Sequence, residues 1–269
     1  MGLWRRLTPL VLAPLLAVSP AAARPAETLD GGWTRFEVAA AGRPLAAALS
    51  PKALSLTAPS APILTIVIEG DGRAHDRRGR ASPDPTPEKA IGLDLAKAWP
   101  APAAWLGRPC QYVQDAACTS AAWTTHRFSN AAVAMTDAAI SDLKARAGAE
   151  QIVLVGWSGG GVMATLVAAR RSDVAGLITL AAPLDVAAWT RSRGLSPLQG
   201  LDPADLDPLA VPQLHLTGAF DRLVRPAVVG DTARRLAGPN GRVETWPERH
   251  DCCWVARVED IAAGLKPGP

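Results

Sequence analysis

Short apolar runs rich in β-branched residues alternate along most of this chain with longer segments of helical spacing. Ile63–Ile68, Gln151–Val155, Val174–Leu180 and Gln213–Thr217 have the length and composition of buried strands. Arg242–Trp246 reads as a last strand, and Trp105–Val113 as another, interrupted by Pro109. Between these runs, Glu88–Trp99, Asn130–Ala147, Gly159–Arg170, Pro226–Leu236 and Trp254–Leu265 are predicted helices. Trp33–Val38 and Leu45–Leu49 alternate enough to predict an early hairpin, after a loose start over residues 24–32. From Asp71 to Pro87 the chain is rich in Gly, Arg, Asp and Pro, and Pro83, Pro85 and Pro87 exclude a helix there.

Buried strands alternating with helices predict an α/β fold: a mostly parallel central sheet with helices on both faces. The long gaps between strands fit right-handed crossovers. Nothing repeats internally, so one domain is expected over residues 24–269, with residues 181–212 as a candidate small cap insertion. Trp189, Leu195 and Leu198 would be its lining. At 269 residues and 48% hydrophobic, with mean hydropathy +0.10, the chain has ample material for a core. The formal net charge of +3 is spread along the sequence. Without a basic stripe, it gives no reason to expect a nucleic-acid partner.

The first 23 residues read as a secretory signal peptide. Arg5 and Arg6 form the positive region, Leu10 to Val18 the apolar one, and Ala21-Ala22-Ala23 the small-residue cleavage site. The apolar run falls short of the roughly 20 residues a membrane span needs. The expectation is therefore an exported protein, periplasmic or extracellular, with no membrane span. The cysteines agree with export. Cys110, Cys118, Cys252 and Cys253 make an even count, and Cys110 with Cys118 is the preferred bridge. Cys252-Cys253 is then either a vicinal disulfide, which would stiffen the loop beside His250, or two thiols. No C-x-x-C spacing supports a metal site, so no metal is expected.

The chemistry begins at Gly156-Trp157-Ser158-Gly159-Gly160, where a strand runs directly into Gly-x-Ser-x-Gly and then a small-residue helix. A bare Gly-x-Ser-x-Gly can be an ordinary turn. Its strand and helix context is that of a nucleophile elbow, which holds a serine on a sharp turn at a helix N-terminus. A serine hydroxyl needs a base, and the base needs an orienting carboxylate. Asp221 follows the strand Gln213–Thr217, and His250 follows the last strand, giving the order Ser158, Asp221, His250. The competing role for Asp221, less favoured given the chain order, is that of a turn aspartate. Asp185 is the rival acid, with a helix cap near Trp189 as its competing role. His215 lies within a strand, and His75 and His126 precede Ser158, which leaves His250 as the base. The Gly159 N–H is one oxyanion donor. For the second, the loop Glu69-Gly70-Asp71-Gly72 offers the N–H of Asp71 first and of Gly72 next.

Through these four segments, the chain resembles the α/β-hydrolase superfamily across nearly its whole mature length. It is most similar to exported bacterial members of unassigned substrate, which share Gly70-Asp71-Gly72 followed by Ser82-Pro83-Asp84-Pro85-Thr86-Pro87. Glu69 departs from the pattern, because many relatives carry His there. The resemblance implies a serine hydrolase acting on a carboxylic ester or related acyl bond of a small-molecule substrate. It also implies catalytic Ser158, Asp221 and His250, an oxyanion hole from the Asp71 and Gly159 N–H groups, and no cofactor. An acyltransferase or peptidase on the same triad, or a non-catalytic binding protein of the same fold, are the competing readings. Arg73, Arg77, Arg78 and Arg80 read as a solvated loop in preference to an anion site. Trp157 either lines the acyl pocket or packs beneath the elbow.

Overall fold

The computed structural model describes residues 26–55 and 62–265. The signal peptide assigned to residues 1–23 lies outside the described residues. Strand β1 (Glu27–Leu29) opens the chain, followed by a short 3-10 turn. Strands β2 (Trp33–Ala40) and β3 (Arg43–Leu49) then form the expected hairpin, with Val38 opposite Leu45. Helix α1 (Pro51–Leu54) is one turn capped by Ser50. Next come β4 (Ile63–Ile68), α2 (Ile91–Ala98), β5 (Ala103–Leu106), α3 (Ser120–Trp123) and α4 (Asn130–Ala147). The second half runs β6 (Gln151–Trp157), α5 (Gly159–Ala168), β7 (Val174–Leu180), α6 (Val186–Ser192), β8 (Gln213–Gly218), α7 (Pro226–Ala237), β9 (Gly241–Trp246) and α8 (Val258–Gly264).

Among the described residues, the strands form one nine-stranded sheet in the order β1-β2-β3-β5-β4-β6-β7-β8-β9. The six strands from β5 to β9 across the sheet are parallel, and β1 to β3 extend it antiparallel at one edge. Side-chain alternation divides the core in two. Leu64, Ile66 and Ile68 of β4 meet Val133, Ile140 and Leu143 of α4 and Val162 and Leu166 of α5. Val67 of β4, Val155 of β6 and Ile178 of β7 face the other way, toward Leu95 of α2 and Val258 and Ile261 of α8. Because both faces of these strands are covered, their sequences read as unbroken apolar runs.

Several boundaries differ from expectation, each for a local reason. The predicted strand Trp105–Val113 ends at Leu106. Beyond it, Arg108 and Gln111 turn their side chains to loop carbonyls, and Cys110 and Tyr112 have positive φ. Helix α2 starts at Ile91, three residues late, because the Glu69 carboxylate accepts from the N–H groups of Gly92 and Leu93. The final helix is split, with a 3-10 turn over Trp254–Arg257 before α8. Residues 24–32, expected to be loose, include β1.

What positions the site is the strand order. From β4, the chain crosses one way to β5 and later the other way to β6. Parallel sheets leave a crevice at the carboxyl ends of the strands at such a switch point. Ile68 is in register with Gly156, so the loop after β4 and the turn after β6 emerge side by side.

Candidate active site

Ser158 lies between β6 and α5 at φ 54° and ψ −126°, a left-handed conformation that a serine rarely adopts. Small neighbours permit it. A methyl group at Gly156 would overlap the backbone of Gly160, and one at Gly160 would overlap the carbonyl oxygen of Ile68. The strand–turn–helix geometry expected of a nucleophile elbow is therefore present, with Ser158 held at the N-terminus of a ten-residue helix.

The turns after β8 and β9 bring two more groups to this serine. Ala219 N–H donates to the Trp246 carbonyl and Phe220 N–H to the Glu248 carbonyl, tying the two turns together. Asp221 is buried. Its Oδ1 accepts from the N–H groups of Leu223 and Val224 at 2.7 and 2.8 Å, and its Oδ2 lies 2.7 Å from His250 Nδ1. His250 Nε2 lies 3.0 Å from Ser158 Oγ. The His250 backbone is fixed from below, where its carbonyl accepts from the indole N–H groups of both Trp157 and Trp254. Trp157 is thus a support beneath the elbow, with its ring 5.3 Å from the imidazole and packed against Gly70. Structure thereby brings Ser158, His250 and Asp221 into one hydrogen-bonded line across 92 residues of sequence.

The other candidates fall elsewhere. Asp185 caps α6 through Ala188 N–H and accepts from Thr232 Oγ1. His215 is buried between Thr179 Oγ1 and Gln213 Oε1, and burial depresses its pKa to about 4. His126 pairs with Thr125, and His75 sits in the early loop, bridged to Ala81. Arg73 and Arg80 are engaged by Glu88 and Asp76 in an exposed loop, as a solvated reading required. Trp189 is buried against Val224 and Val229, with its N–H on the Leu223 carbonyl, while Leu195 is exposed.

Asp71 reaches the site in a way that sequence reasoning missed. Its backbone N–H and that of Gly159 have no acceptor among the described residues. Its side chain ties the loop after β4 to the segments that follow β5 and α3. Oδ1 accepts from Arg108 at 3.0 Å and Oδ2 from Arg127 at 2.6 Å, both guanidinium groups being nearly inaccessible. Burial alone would push the Asp71 carboxyl up, but the Arg127 and Arg108 charges outweigh it and hold it below the usual carboxylate range. Arg108 is itself bound to the Arg127 carbonyl and lies over the Phe128 ring. Gln111 donates to the Gly70 carbonyl, closing the loop from the other side. The segment carrying Arg108 and Gln111 is pinned by the Cys110–Cys118 disulfide and by Arg43, which pairs with Asp115.

Glu69 is fully buried, with four donors: the N–H groups of Gly70, Gly92 and Leu93, and the Trp105 indole. Burial pushes its carboxyl up, while these hydrogen bonds pull the other way. At the base of the Asp71 loop, it ties β4 to the start of α2. The one sequence signal for this support shell was polar residues interrupting apolar runs just past the ends of β4 and β5.

Cys252 and Cys253 are disulfide-bonded to each other in the loop after His250, and no described cysteine is free. Among the described residues, no group of His, Cys, Asp or Glu has the arrangement of a metal site, and no helix is long and apolar enough to cross a membrane.

No protein-family model matches the chain, and no curated protein matches its sequence. Solved structures do match its shape. Est1E from Butyrivibrio proteoclasticus, solved with ferulic acid bound, superposes with a TM-score of 0.61 at 15% identity, covering 85% of this chain and 98% of that one. A cold-adapted esterase from an Arctic intertidal metagenomic library gives 0.61 at 16%, covering 90% and 97%. XC6422 from Xanthomonas campestris, described as a serine hydrolase without a lid, gives 0.57 at 15%, covering 88% and 97%. The chain has the α/β-hydrolase fold. Within that fold, Ser158 occupies the turn after a central parallel strand, and Asp221 and His250 follow strands nearer the sheet edge.

Proposed function

We propose that this α/β-hydrolase-fold protein is an exported serine hydrolase that cleaves a carboxylic ester of a small-molecule substrate. The observation that carries the proposal is the line Ser158 Oγ–His250 Nε2–Asp221. In this reading, Ser158 Oγ attacks the ester carbonyl carbon as His250 Nε2 takes its proton. Asp221 orients the imidazole and balances the imidazolium charge. The tetrahedral oxyanion is met by the N–H groups of Asp71 and Gly159. Collapse breaks the bond to the leaving alcohol, which receives the proton from His250. Water then attacks the acyl-serine, gives a proton to His250, and releases the acid as Ser158 recovers that proton.

The esterases among the structural neighbours support an ester in preference to an amide. The Cys110–Cys118 disulfide supports an oxidising compartment, and with it removal of residues 1–23 as a signal peptide. A fluorophosphonate probe tests the nucleophile: wild type is labelled, and Ser158→Ala is not. Equal labelling of the two, or none of wild type, overturns the reading. A panel of p-nitrophenyl esters run beside peptide substrates, with and without added alcohol acceptors, tests the reaction class. Ester turnover to free acid is the expected result.

A further inference from the structure

On the imidazole side of the triad, the turns after β8 and β9 enclose an open cavity of about 1140 Å³. Its lining includes Asp221 and His250 but not Ser158. His250 lines this cavity and, in the proposed reaction, gives its Nε2 proton to the leaving oxygen, so the leaving group is drawn toward the imidazole.

The walls combine two properties. Phe220 and Leu223 present apolar surface, and at 63% and 38% exposed they are unusual for residues of their size. Around them stand Arg222, Arg225 and Arg249, all exposed. None of these three guanidinium groups has an ion-pair partner among the described residues, whereas most other arginines of the fold are paired. Arg225 sits at the N-terminal edge of the twelve-residue α7, whose dipole adds to the positive potential. Arg193 also reaches this turn and donates to the Arg222 carbonyl. Against these cations, the lining carries two carboxylates. Asp221 is already committed to His250 and two backbone N–H groups, and Asp251 is exposed.

We infer that this cavity receives the leaving-group half of the substrate, and that this half is an apolar body bearing an anionic group, a carboxylate or a phosphate. The inference rests on the serine-hydrolase reading. Phe220 and Leu223 cover the apolar body, and the three arginines neutralise the charge at its far end.

Two esters of matched shape test it. 4-Carboxyphenyl acetate and 4-(methoxycarbonyl)phenyl acetate share the acyl half and the ring and differ in charge, and 4-acetoxyphenyl phosphate separates phosphate from carboxylate. The expected kcat/KM ratio of anionic to neutral ester is about tenfold at low ionic strength, falling toward one at about 0.5 M salt. In the Arg222→Gln, Arg225→Gln, Arg249→Gln triple variant, the ratio falls to about one. Because the ratio is taken within one protein, a partly damaged variant does not mimic this result. A ratio of one or less in wild type, or a ratio untouched by the triple substitution, overturns the inference. If wild type turns over neither ester and takes no fluorophosphonate, it is the hydrolase reading that fails. Calorimetry with 4-hydroxybenzoate and 4-hydroxyphenyl phosphate then tests the cavity alone. Binding that weakens at least tenfold in the triple variant sustains it, and no binding to wild type overturns it.

Discussion

The carboxylate of Asp71 lies directly against the α-carbon of Gly159, so that a methyl group there would overlap both of its oxygens. This contact joins the loop after β4 to the first residue of α5, the two segments that carry the proposed oxyanion donors.

Gly159→Ala tests that contact. The added methyl must displace either Asp71 or the start of α5, and Asp71 is held by two buried arginines. Misplacement by about 1 Å at a reacting centre costs on the order of 10²-fold in rate. The expected outcome is a kcat lower by about that factor with a far-ultraviolet circular dichroism spectrum like that of wild type. Unchanged kcat would show that the two N–H groups do not need this spacing.

Arg127→Met removes one of the two cations that compensate Asp71. Breaking a buried pair from one side typically destabilises by about 3–5 kcal/mol. Denaturant unfolding should show a loss of that order, and Arg127→Lys should recover only part of it, because Lys lacks the fork that reaches both Asp71 and the Thr124 carbonyl. A loss under about 1 kcal/mol, the value of an exposed pair, would mean that Asp71 is solvated.

His215 sets an acid limit on stability. In the folded chain, burial lowers its pKa from 6.5 to about 4, so it stays neutral while the unfolded chain takes up a proton. Between those values the unfolded state binds more protons, and stability falls as the pH falls. At about 1.4 kcal/mol per unit, the loss is on the order of 3 kcal/mol by pH 4. Thermal melts from pH 7 to 4 should show this slope, and it should flatten in His215→Gln. An equal slope in the variant would assign the acid sensitivity elsewhere.

Reduction of Cys110–Cys118 should loosen the segment that presses Arg108 and Gln111 onto the Asp71 loop. A ring of this size constrains the unfolded chain by about 2–3 kcal/mol. Cys110→Ser with Cys118→Ser is expected to lower both Tm and kcat. The matching pair at Cys252 and Cys253 perturbs the His250 loop instead. A double variant of the first pair with wild-type Tm and kcat would show that Arg43–Asp115 alone holds the segment.

The elements were legible because their periodicity is local. Ile63–Ile68, Asn130–Ala147 and Val174–Leu180 end where the apolar pattern ends. Ser158 was legible for the same reason, since its strand, turn and helix are contiguous. Asp221 and His250 could be nominated because each follows a strand in the right chain order. Boundaries failed where a distant side chain took over, as when Glu69 claimed the N–H groups at the start of α2.

By itself, then, the sequence determined an alternating parallel sheet, an elbow serine, and the order of its candidate partners. These follow from short-range sterics and from burial on the two faces of a strand. Only the tertiary structure decided that the Asp71 side chain would tie the loop after β4 to the segments carrying Arg108 and Arg127. Arg108 and Arg127, 37 and 56 residues further along the chain, converge on one buried carboxylate. Such a pairing leaves no periodic trace, because the desolvation that makes it strong exists only once the loops are packed together.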